Sequence, residues 1–177
     1  MINLSLRLNC EDQITGWEKP PHGWLKLNVD GASTIQSSKA GCGGVIRDCL
    51  GNWVVGFAKS IGDCNASNAE EWAIVEGLQL AWDLGFKKII LESDASSVVN
   101  VLLDISCATC NSLLLTARDL MTLNWQVDVR VIPREFNRIA DALAKRGISN
   151  SILLDECPTS LRAWLDQECL GLNSPIV

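Results

Sequence analysis

From Trp24 to Asp30 the chain alternates, with Leu25, Leu27 and Val29 on one side and Lys26, Asn28 and Asp30 on the other. A period of two predicts a half-buried strand with Asp30 at its end, off the hydrophobic face. Gly43 to Arg47 and Trp53 to Ser60 read as two more strands. Between them Asp48 to Asn52 ends in Gly51 and Asn52, residues suited to a hairpin turn, so the three form an antiparallel meander. Ile74, Leu78 and Ala81 then fall on one helical stripe, which predicts a helix over Ala69 to Leu84 with Asn68 as N-cap and Gly85 as its stop.

Lys88 to Ser93 is a short apolar strand. Its return through a helix favours a right-handed crossover that lays it parallel beside the first strand. Helices over Ser96 to Leu103 and Ser112 to Leu123, a strand over Gln126 to Val131, a break at Pro133 and a helix over Asn137 to Arg146 complete the pattern. The order β-β-β-α-β-α-α-β-α predicts an α/β domain: a mixed five-stranded sheet flanked by helices, its first three strands antiparallel, its fourth and fifth parallel to the first. Residues 1–23, with Pro20-Pro21, read as a lead-in linker, 24–147 as the domain, and 148–177 as a tail with a short helix over Leu161 to Leu170. In the second strand, Gly41 to Gly44 reads as a tight entry, since it precedes a strand and lacks the lysine of a phosphate-binding loop.

Composition narrows the class. At 177 residues one domain with a sizeable core is expected. No apolar run approaches the roughly 20 residues that span a membrane. Met1 to Cys10 lacks the layout of a secretory signal, so the expected location is intracellular, nuclear or cytoplasmic. Of eight cysteines only Cys107 and Cys110 form a CxxC, without the second pair that a zinc site would need. Most of the seven tryptophans sit on amphipathic elements, where packing is the expected role. The net charge of −6 and the pI near 4.7 count against tight, nonspecific nucleic-acid binding through a broad basic surface. Only Arg130 to Arg146 is locally basic, with Arg130, Arg134, Arg138, Lys145 and Arg146 against Glu135 and Asp141.

Four acids in separate settings carry the candidate chemistry: Asp30, Glu70, Asp94 and Asp141. Asp30 and Asp94 end strands that the topology places side by side, at the edge where open α/β sheets bind ligands. Singly, each also reads as a turn or cap residue. Glu70 shares its stripe with Ile74 and Leu78, whereas its neighbour Glu71 diverges by about 100° and reads as a first-turn acid complementing the helix dipole. Asp141 stands in the apolar stretch Ile139-Ala-Asp-Ala-Leu-Ala144, unless it simply faces solvent. Carboxylates gathered by a fold need a cation, since like charges a few ångströms apart cannot otherwise all ionise.

Together WLKLNVDGA, AGCGGVIRDCLGNWVVGFA, NAEEWAIVEGLQLAWDLGFKKIILESD and PREFNRIADALAKRG, in this order, resemble the ribonuclease H family. The likeness is to plant ribonuclease H-like domains related to non-LTR retrotransposon reverse transcriptases, over about Trp24 to Gly147. It implies hydrolysis of the RNA strand of an RNA-DNA hybrid by two-metal-ion catalysis, with magnesium as cofactor and manganese as a substitute. Asp30, Glu70, Asp94 and Asp141 match the family's metal-binding acids, and Asn65 and Ser67 fall in its substrate-contacting loop. Relatives usually carry an apolar residue at Glu71. Their loop histidine before the last helix is missing, that loop being Ile132-Pro-Arg-Glu-Phe136, with Arg134 as the candidate stand-in. The only histidine, His22, lies in the lead-in. The resemblance implies a monomer that takes a nucleic-acid partner and no membrane; the missing histidine and acidic pI leave open a domesticated domain that binds nucleic acid or protein with little turnover.

Overall fold

The computed structural model describes residues 16–35, 38–107 and 110–171; Met1 to Cys10, read above as lacking a secretory signal, lies outside them. Three strands, β1 (Leu25–Ser33), β2 (Lys39–Arg47) and β3 (Trp53–Asp63), form the antiparallel meander. Next come α1 (Ala66–Asp83), β4 (Lys88–Ser93), α2 (Ser96–Leu103), α3 (Ser112–Met121) and β5 (Gln126–Val131). β4 pairs parallel with β1, and β5 parallel with β4. A 3-10 turn at Arg134–Phe136 leads into α4 (Arg138–Gly147), followed by β6 (Ile152–Leu154) and α5 (Thr159–Cys169).

Among the described residues the sheet has six strands, in the order β5-β4-β1-β2-β3-β6, where five were expected. The extra strand, β6, is three residues long and pairs antiparallel with β3. So short a segment has no periodicity of its own; pairing with the β3 edge defines it. Among the described residues no helix is long and apolar enough to cross a membrane, and no disulfide joins the cysteines.

Apolar residues fill both faces of the sheet. α1, α2 and α3 bury Leu27, Val29, Ile74, Leu78, Ile89 and Leu91 on one side. On the other, Val45 packs with Ile139 and Leu143 of α4 and Leu161 and Leu165 of α5. At the centre the helices approach closely because glycines face them. A Cβ on Gly31 would lie 2.3 Å from the Ala69 carbonyl carbon and Glu70 nitrogen of α1, and one on Gly43 would lie 2.4 Å from the Ala144 nitrogen of α4. Gly41 to Gly44 is therefore the middle of β2 beneath α4, not the entry to a strand.

Two local expectations change. α1 starts one turn early, capped by Asn65, whose side-chain oxygen accepts from the Asn68 N–H at 2.8 Å. Both asparagines suit a cap, and the one whose side chain bonds the backbone three residues on takes the position. Glu71 consequently lies in the second turn, outside the reach of the helix-end dipole. It is buried and accepts from Asn111 Nδ2 at 2.6 Å. Since the Asn111 oxygen caps α3 through the Leu114 N–H, Glu71 ties α1 to the start of α3.

Candidate metal centre

Asp30 is not in a turn: β1 runs on to Ser33, and Asp30 pairs with Gly43 inside the ladder. Its side chain is buried at 4 % exposure. Glu70 arrives from α1, brought close by the Gly31 contact, and its Oε2 accepts the Gly31 N–H at 3.1 Å. Asp94 follows β4 directly. It does not cap α2, which has no side-chain cap; its Oδ1 instead accepts from Asn137 Nδ2 at 3.3 Å. Asp30, Glu70 and Asp94 each offer a carboxylate oxygen, all within 4.8 Å of one another.

That proximity has an electrostatic consequence. Burial first, then the Glu70 and Asp94 charges, push the Asp30 carboxyl up to about 9. Burial, then the Asp94 charge, raise Glu70 to about 7, partly offset by hydrogen bonds from Asp30 and the Gly31 N–H. Without a cation the Asp30 carboxyl holds a proton and shares it with Glu70. Burial and mutual repulsion together oppose full ionisation of these neighbouring acids, a cost that a bound cation relieves. The donors are all carboxylate oxygens, which suit a hard divalent ion such as magnesium or manganese.

Asp141 stands outside this trio. From α4 its Oδ2 meets Lys145 Nζ at 2.6 Å and its Oδ1 meets Arg134 Nη2 at 3.4 Å. Its charge still contributes to raising Asp30. Beside it opens a shallow pocket of about 390 Å³, lined by Arg134, Glu135, Arg138 and Asp141. Asn65 and Ser67 lie exposed at the N-terminus of α1, the same helix as Glu70, with the Asn65 oxygen engaged in the cap.

The sequence reading passed over Asn28 and Asn137. Both are buried, at 1 % and 2 % exposure. Their spacing held the signal: Asn28 shares a strand face with Asp30, two residues on, and Asn137 precedes Asp141 by about one helical turn.

Comparison with known proteins agrees with this architecture. The sequence profile of the reverse transcriptase-like family matches residues 28–147. A protein of Arabidopsis thaliana, provisionally named a ribonuclease H protein, is 36% identical over 169 residues; the match covers 93% of this chain and 27% of that relative's length. Among solved structures, ribonuclease H1 of Halobacterium salinarum superposes with a TM-score of 0.65 at 29% identity, covering 71% of this chain and 97% of that one. A ribonuclease H1 solved in complex with an RNA/DNA hybrid shares the fold, with a TM-score of 0.63 at 21% identity over 70% of this chain and 96% of its own. With the family's profile matching residues 28–147 and a relative 36% identical over 169 residues, the chain belongs to the reverse transcriptase-like family of ribonuclease H-like domains.

Proposed function

We propose that this protein is a divalent-metal-dependent endonuclease that hydrolyses the RNA strand of RNA-DNA hybrids. The observation that carries the reading is the clustered trio Asp30, Glu70 and Asp94, with Asp30 buried and the other two half-buried, too close to ionise together without a cation. These three hold the ions, with Asp141 of α4 as the fourth acid once its carboxylate turns from Lys145 and Arg134. Two magnesium ions, replaceable by manganese, supply a nucleophilic water at neutral pH and neutralise charge on the leaving oxygen.

The chain's own groups do the rest. Gly31 N–H and Asn137 Nδ2 fix Glu70 and Asp94 by donating to them, so the carboxylates are aimed before substrate arrives. Arg134 meets a backbone phosphate on this reading, which its 73% exposed side chain beside Asp141 supports. Asn65 and Ser67 at the α1 N-terminus contact the hybrid, and 2′-hydroxyl contacts across the wide minor groove select RNA.

Cleavage of a labelled hybrid under magnesium, run beside Asp94→Asn, tests this. Cutting confined to the RNA strand and lost in the variant is expected; a folded wild-type protein that cuts nothing overturns the nuclease reading. A binding module is the second reading, favoured by Asp141 being held by two cations and by the loop without histidine. A hybrid that raises the melting temperature without being cut identifies it.

A further inference from the structure

The β1 face that carries Asp30 also carries Lys26 and Asn28, and none of them reaches solvent, at 4 %, 2 % and 1 % exposure. A layer of polar and charged side chains fills the space beneath α4 and α5. Asn28 stands at its centre with both ends of its amide doubly engaged. Its Oδ1 accepts from Trp17 Nε1 at 3.0 Å and Arg47 Nη2 at 2.7 Å. Its Nδ2 donates to Glu92 Oε2 at 2.9 Å and Asn137 Oδ1 at 3.3 Å.

The direction of this amide is forced. Indole and guanidinium groups only donate, so they must face the oxygen. Glu92, paired with Lys26 Nζ at 2.7 Å, accepts, and so faces the nitrogen. Fixing Asn28 fixes Asn137 in turn. The Asn137 oxygen meets the Asn28 NH₂, which leaves its own NH₂ for the Val29 carbonyl at 2.9 Å and Asp94 Oδ1 at 3.3 Å. Two amides in series thus pass a donor polarity from Arg47 to a carboxylate of the metal centre.

The far end is firmly held. The Arg47 guanidinium carbon lies 3.5 Å from the Trp17 ring centroid, and Nη1 meets Glu168 Oε2 of α5 at 2.5 Å. Trp17 and Glu168 both lie outside the 28–147 stretch that the family shares.

We propose that Asn28 is a positioning residue for the metal centre: clamped by Trp17 and Arg47, it orients Asn137 so that the Asn137 amide fixes the Asp94 carboxylate. The inference rests on the metal-dependent reading above. With one Asp94 oxygen held by Asn137, the carboxylate plane is set and the other oxygen is presented to the trio. Without Asn28, the Asn137 oxygen loses its donor and the amide is held only through its Nδ2, shared between the Val29 carbonyl and Asp94, so its plane tilts and the Asp94 carboxylate tilts with it. Cation affinity and turnover then fall, while the surfaces that meet the hybrid are untouched.

The test is calorimetric titration of manganese into the wild-type protein, Asn28→Asp and Asn28→Ser, with kcat and KM on a hybrid in the same buffer. Aspartate keeps both acceptor contacts but cannot donate to Asn137; serine, the second variant should aspartate beside Glu92 prevent folding, is neutral and too short to reach it. Manganese binding weakened about ten- to hundredfold, with a lower kcat at unchanged KM, is the expected result. A layer that served stability alone would lower the melting temperature and leave both readouts as in the wild type. Folded variants that bind manganese like a binding-competent wild type overturn this inference alone; a wild type that binds none overturns the metal reading and this inference with it.

Discussion

At the residue scale the candidate metal centre is a cluster of carboxyls whose ionisation the fold opposes. Asp30, raised to about 9, and Glu70, raised to about 7, keep protons in the folded chain that an unfolded chain releases near pH 4. The stability they contribute is full below about pH 4 and is lost as pH climbs through 7 and then 9. In chelator the melting temperature should therefore fall between about pH 5 and pH 8. The carboxyls of Asp48 and Asp104, shifted down, titrate below that window. Buried thiols such as Cys42, pushed up to about 12, add their own loss above it. Saturating magnesium should remove most of the fall, and Asp30→Asn should flatten it without metal by removing the raised carboxyl. A metal-free melting temperature that rises across this window overturns the electrostatic account. The same residues show why the trio was legible: Asp30 closes the alternating run in β1, Asp94 follows the apolar β4, and the crossover rule sets those strands side by side. Their polar supports were not. Alternation assigns Lys26 and Asn28 to water, and their partners Glu92 and Asn137 are distant in sequence.

At the element scale, α4 is placed by what β2 lacks. A Cβ on Gly43 would meet the α4 backbone at 2.4 Å, which no side-chain rotation relieves. Gly43→Ala must lift α4 from the sheet, and α4 carries Asp141, with Asn137 at its N-cap. Overpacking of this kind costs about 1–3 kcal/mol. Denaturant unfolding should register that loss, and cleavage should drop along with it. An alanine variant as stable as the wild type would mean that the contact is slack. Strands and helices with strong local signals were readable to the residue, as for β4, α2 and β5. Elements decided by a neighbour were not. The start of α1 turned on which of two asparagines bonded the other's N–H, and β6 exists through its pairing with β3. The glycines of β2 gave no helix or strand signal of their own; their meaning lies in the helix above them.

At the scale of the whole molecule, a net charge of −6 and a part-buried acidic cluster oppose a polyanionic substrate. On the proposed reading, binding would come from a short basic stretch and from cations at the site. The basic side chains beside the centre are few: Arg134 and Lys145 are 73% and 61% exposed, and both are spent on Asp141 in the metal-free state. On the same reading, cation binding that drew Asp141 into the centre would free them for phosphate, so a divalent cation would add positive charge and release more. Each phosphate neutralised contributes about 0.9 to the slope of log affinity against log salt. Two to four contacts then give a slope of about −2 to −4 for hybrid binding by Asp94→Asn at fixed magnesium, from about 50 to about 200 mM KCl. Fluorescence anisotropy of a labelled hybrid measures it. Arg134→Gln should make the slope shallower by about one, with little change in unfolding stability, since its side chain is exposed and surface ion pairs contribute little. A slope of about −6 or steeper would place the hybrid on a basic surface elsewhere on the molecule, and a slope that ignores Arg134→Gln would remove that residue from the phosphate path.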